Sequence, residues 1–126
     1  MNAECQLVID LIESKVLSKE CDGESKVFFL KMVGDYYRYI AENAKDDLLD
    51  QVKLKALRAY KKANNITLPP CNLVKLGLAV NFSVFMYEVM KSYKMACEIA
   101  DMAQSEAIDN LDPLEEEEFR DVKGLI

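Results

Sequence analysis

Four charged residues interrupt one of the most apolar stretches of the chain: Lys31, Asp35, Arg38 and Glu42, at spacings of four, three and four. On a helix that turns about 100° per residue they share one stripe roughly 60° wide. The residues around them are Val27, Phe28, Phe29, Leu30, Met32, Val33, Tyr36, Tyr37, Tyr39 and Ile40. A helix apolar nearly all round belongs in the middle of a protein, where long charged side chains are seldom buried unless paired. Asp35 can pair with both Lys31 and Arg38 along the stripe. Two cations held in place, with the Tyr39 hydroxyl beside them, would make a receptor for a doubly charged phosphate. The same spacing suits a plain salt-bridge ladder on a solvated edge, and spacing alone leaves both readings open.

A second oddity is Asn81, set in the run Leu78-Ala79-Val80-Asn81-Phe82-Ser83-Val84-Phe85. An Asn inside an apolar helix costs stability unless its amide finds a partner. Glu88 follows two turns later on the same face, with Val84 between them. An amide offers both a donor and an acceptor, so Asn81 could read a peptide backbone. It could equally be satisfied by a neighbouring helix.

Other chemistries are excluded or disfavoured. With no His there is no His-based nucleophile pair, no imidazole metal ligand and no imidazole pH switch. The four cysteines, at 5, 21, 71 and 97, form no CxxC pair, which suits reduced thiols in an intracellular, cytoplasmic protein. Neither an enzyme, a metal site nor a cofactor is expected. The chain has no apolar run near membrane-spanning length and no secretory signal pattern, so no membrane association is expected. Lys53, Lys55, Arg58, Lys61 and Lys62 could suggest RNA, but no aromatic residue interleaves that outer face of the helix and the net charge is −6. They read as a solvated face, and no nucleic-acid partner is expected.

The elements that position these residues read as helices almost throughout, and 126 residues suit one compact domain. The first helix is expected from about Ala3 to Lys19, with Val8, Leu11, Ile12 and Val16 at helical spacing. Cys21-Asp22-Gly23 breaks it, and Ser25 is expected to cap a second helix ending near Asn43. A third runs from about Asp47 to Asn64, burying Leu49, Val52, Ala56, Tyr60 and Ala63. Leu68-Pro69-Pro70 is the clearest break. Asn72 caps a fourth helix, from about Leu73 to Lys91, and a fifth spans about Tyr93 to Leu111. After Asp112-Pro113 a last, short helix would start on Glu115 to Glu118, where carboxylates suit the positive end of the helix dipole. The expectation is an all-α antiparallel array of five to six helices.

Two long runs closely resemble the signatures of the 14-3-3 family: Ser25-Lys26-Val27-Phe28-Phe29-Leu30-Lys31-Met32-Val33-Gly34-Asp35-Tyr36-Tyr37-Arg38-Tyr39, and Leu76-Gly77-Leu78-Ala79-Val80-Asn81-Phe82-Ser83-Val84-Phe85-Met86-Tyr87-Glu88. Shorter matches at Cys5, Ala59-Tyr60, Ala96-Cys97 and Glu106-Ala107-Ile108 extend the likeness over essentially the whole chain. The resemblance implies a cup-shaped, all-α dimer fold whose grooves bind phosphoserine or phosphothreonine peptides. It implies Arg38 and Tyr39 at the phosphate with Lys31 beside them, Asn81 and Glu88 on the peptide backbone, and Val80 and Val84 on the apolar wall. It also implies that residues 1–126 are a truncated 14-3-3-like domain, beginning inside the family's fourth helix and ending early in its last.

Phosphate binding is accordingly expected to be weakened, because two of the family's basic phosphate ligands come from an earlier helix. The expected partners are phosphorylated proteins or peptides. A homo- or hetero-oligomer through a non-standard interface on the first helix is also expected. The alternative function is a helical interaction module that has lost phosphate recognition.

Overall fold

The computed structural model describes residues 2–17 and 22–109, and these are all-α. Five α-helices follow in order: α1 (Asn2–Leu11), α2 (Gly23–Asn43), α3 (Asp46–Asn64), α4 (Leu73–Glu88) and α5 (Tyr93–Asp109). The expected last helix, with Glu115 to Glu118 at its start, lies outside the described residues, as do Cys21 and Leu111.

The longest helix is central. α2 packs against α1, α3 and α4, and α5 packs on α4. Its apolar side chains Val27, Leu30, Val33, Tyr37 and Ile40 are buried, as its near-uniform composition requires. They meet Ile9 and Ile12, then Val52, Ala56, Tyr60 and Ala63 of α3, and Leu78, Phe82 and Phe85 of α4. Leu49, expected in the core, is only packed against its edge, and Ala59 takes a buried place instead.

Three boundaries differ from the sequence expectation. The first helix is α-helical only to Leu11; Ile12–Val16 then forms a π-helical turn, closed by the Leu17 amide donating to the Ile12 carbonyl at 2.8 Å. Ser25 is not the cap of α2: Asp22 is, its carboxylate accepting from the Ser25 amide at 2.7 Å. The cap stands outside the helix with its side chain reaching forward three residues, so Ser25 supplies the orphan amide. Finally, α4 stops at Glu88 rather than running to Lys91. Lys91 takes a left-handed φ of 57°, and the Ser92 amide folds back onto the Met86 carbonyl at 2.8 Å.

The cap at Asn72 is as expected: its side chain accepts from the amides of Val74 and Lys75 at 2.9 and 3.1 Å. Its own amide also donates to Glu24 at 3.1 Å, tying the start of α4 to the start of α2.

Candidate functional site

The charged stripe of α2 faces α4, and its middle is enclosed. Asp35 and Arg38 are the buried charged residues among those described, 7% and 8% exposed, while Glu42 at the end of the stripe is exposed. Asp35 is the hub. One carboxylate oxygen accepts from Lys31 Nζ at 2.9 Å and from Asn81 Nδ2 at 3.0 Å. The other accepts the Tyr60 hydroxyl and lies 3.8 Å from an Arg38 guanidinium nitrogen. Lys31, Asp35 and Arg38 therefore form the ladder the spacing allowed, but a largely buried one that reaches α3 and α4 as well as its own helix.

Close packing under the hub depends on Gly34. A methyl group there would sit 2.8 Å from the Tyr60 ring, nearer than packed carbons approach. Without it, Tyr60 lies against α2, stacked on Phe82 with centroids 5.4 Å apart and touching Phe85 at 5.3 Å. Burial first, and the Asp35 charge next, push the Tyr60 phenol far above its usual value. Tyr60 stays neutral and donates, as the Asp35 carboxylate requires.

Arg38 is held but incompletely satisfied. Its guanidinium carbon lies 5.2 Å from the centre of the Tyr39 ring, a cation–π distance. Its Nε is buried with no hydrogen-bond partner among the described residues. Tyr39 itself is partly exposed and packs edge-on to Tyr36 at 5.7 Å. The Lys31 stem runs beside Gly77 of α4, where an added methyl group would lie 3.7 Å from its terminal carbon.

Of the residues singled out in the sequence, Lys31, Arg38 and Asn81 gather around Asp35, and Tyr39 joins them through its ring against Arg38. Val84 and Glu88 do not join that cluster. They lie further along α4 and line a depression of about 260 Å³ with Ser83, Tyr87, Ala96, Cys97 and Ala100. Seven residues of helix place Glu88 roughly 10 Å from Asn81. A site using all six residues would thus be elongated, charged at the Lys31 end and apolar at the α5 end. Val80 is exposed on the same helix. Spacing did not single out Tyr60, whose hydroxyl completes the hub. Its only sequence signal was a bulky aromatic on the core face of α3. Among the described residues no group of three or more His, Cys, Asp or Glu side chains could hold a metal ion.

The model of the 14-3-3 protein family matches residues 1–126. This chain belongs to the 14-3-3 family. It is 46% identical over 123 residues to 14-3-3 protein homolog 1 of Schistosoma mansoni, covering 96% of this chain and 49% of that protein. It is 44% identical over 120 residues to 14-3-3 protein 5 of Solanum lycopersicum, covering 93% of this chain and 47% of that one. The checkpoint signal transducer rad25 of Schizosaccharomyces pombe is 43% identical over 120 residues, 93% of this chain and 44% of its own length. The chain thus spans about half the length of the curated relatives it matches. No helix among the described residues is long and apolar enough to cross a membrane.

Proposed function

We propose that this 14-3-3 chain is a non-enzymatic adaptor that binds phosphoserine- or phosphothreonine-bearing segments of partner proteins in cytoplasmic signalling. Lys31, Arg38 and Tyr39 meet the phosphate. Asn81 lies along the peptide backbone, and Val84 and Glu88 meet the segment further on. The observation that carries this reading is Arg38: a buried guanidinium with an unpartnered Nε, over the Tyr39 ring and joined through Asp35 to a second cation, Lys31. A buried donor left unmade is costly, and an oxyanion is the ligand that satisfies it best.

The test is titration with a phosphoserine peptide and its unphosphorylated twin. Phosphate-dependent binding is expected, and Arg38→Ala should remove most of it. A charge-assisted hydrogen bond contributes about 1.5–3 kcal/mol, so the loss should be on the order of ten- to a hundredfold at about 1.4 kcal/mol per decade. Equal affinity for both peptides would favour the alternative, a helical module that docks partners without reading phosphate. The specific observation on that side is that Asp35 already engages both cations.

A further inference from the structure

Among the described residues Asp35 touches three of the groups assigned to the ligand, Lys31, Arg38 and Asn81, and a carboxylate is an acceptor only. Whatever part of Asn81 faces it must donate, so the Nδ2 side of the amide is committed to Asp35. The carbonyl oxygen of the same amide is not used by Asp35 and remains an acceptor. The same carboxylate fixes the Lys31 ammonium at 2.9 Å and restrains the Arg38 guanidinium at 3.8 Å. Tyr60 holds the carboxylate in turn, from a fully buried phenol packed against Gly34, Phe82 and Phe85.

We propose that Asp35 is the positioning residue of the site: it holds the Lys31 ammonium and Arg38 guanidinium in register for an anion, and orients Asn81 so that its carbonyl oxygen accepts an N–H of the bound peptide. This rests on the phosphopeptide reading above and adds a sign to it. By charge alone, removing a carboxylate beside an anion site should tighten binding. By positioning, the loss of the anchor outweighs the gain, because two long cationic side chains regain their rotamer freedom and the Asn81 amide is free to turn over.

The experiment titrates wild type, Asp35→Asn, Asn81→Ala and the double variant with the phosphoserine peptide and its unphosphorylated twin, with melts to establish that each is folded. Asp35→Asn should bind the phosphopeptide roughly tenfold or more weakly although it is less acidic by one charge. The double variant should lose less than the sum of the two, as expected for residues that act together. A folded Asp35→Asn that binds as tightly as wild type, or more tightly, overturns the inference and leaves the phosphopeptide reading standing. A wild type that does not distinguish the two peptides overturns both.

A second measurement needs no change at Asp35. Phosphopeptides N-methylated at one backbone nitrogen at a time should include one, near the phosphate, whose affinity for wild type falls about tenfold but is unchanged with Asn81→Ala. If no methylation distinguishes the two proteins, Asn81 does not accept a peptide N–H and the inference fails.

Discussion

Tyr60 ties the binding stripe to the core, and it gives the fold a response to alkali. Its phenol is pushed above its ordinary 10.0 by burial and by Asp35, so the folded chain keeps the proton that the unfolded chain gives up. This contribution is fully present below pH 10 and is lost as pH rises beyond it. The resistance of wild type to urea should fall more steeply above that pH than that of Tyr60→Phe, which has no proton to lose at this position. Gly34→Ala tests the close approach that seats the same ring. It should cost about 1–3 kcal/mol by overpacking, seen as a lower melting temperature. At this scale the sequence was partly legible. Lys31, Asp35 and Arg38 were readable as a group because helical spacing puts them on one face. The partner of Asn81 was not, because Asp35 is 46 residues away, and no local rule pairs positions on different helices. Nor did spacing show that Glu88 would lie in a depression apart from the charged cluster.

Helices were easier to read than their ends. The apolar period of each segment is set by what it buries, and that is repeated over many residues. An end is set by one or two hydrogen bonds, which explains why the break at Asp22 was legible but the cap of α2 falls on Asp22 and not on Ser25. The acid is also held below its usual 3.8 by the Ser25 amide, so its capping contribution is present above that value and declines as the pH falls through the lowered one. The end of α4 offers a sharper test. Lys91 sits at φ 57°, a conformation that costs a side-chain-bearing residue roughly 1–2 kcal/mol. Part of that is offset by the greater unfolded-state freedom of Gly. Lys91→Gly should therefore stabilise the chain by about 0.5–1 kcal/mol, measured by the shift in denaturant midpoint at constant slope. No change would mean that the turn after α4 is not strained at Lys91. Asn72→Ala should act in the other direction, by about 0.5–2 kcal/mol for a lost N-cap, with a further loss from the released Glu24.

For the whole molecule, the central question is what the outer face of α1 does. The spacing of Val8, Leu11, Ile12 and Val16 suggested one apolar face, and with it an oligomer built through the first helix. The structure divides those residues. Ile12 enters the core beside Ile9, and Val8 packs at its edge. Leu7 and Leu11 remain 60% and 50% exposed. Periodicity could not make that division, because it gives the width of an apolar stripe and not which part of it a neighbour covers. The drive to associate is therefore smaller than a full face would give: two part-exposed leucines, each contributing at most about 1.5–3 kcal/mol on burial. Weak self-association through α1 is the expected outcome, visible by sedimentation only at high micromolar concentration. Leu7→Asp with Leu11→Asp should abolish it and leave the melting temperature nearly unchanged, whereas Ile12→Asp should unfold the chain by burying an unpaired charge. A wild type that stays monomeric throughout that range would rule out association through this face. A dimer untouched by the two aspartates would place the contact on another helix.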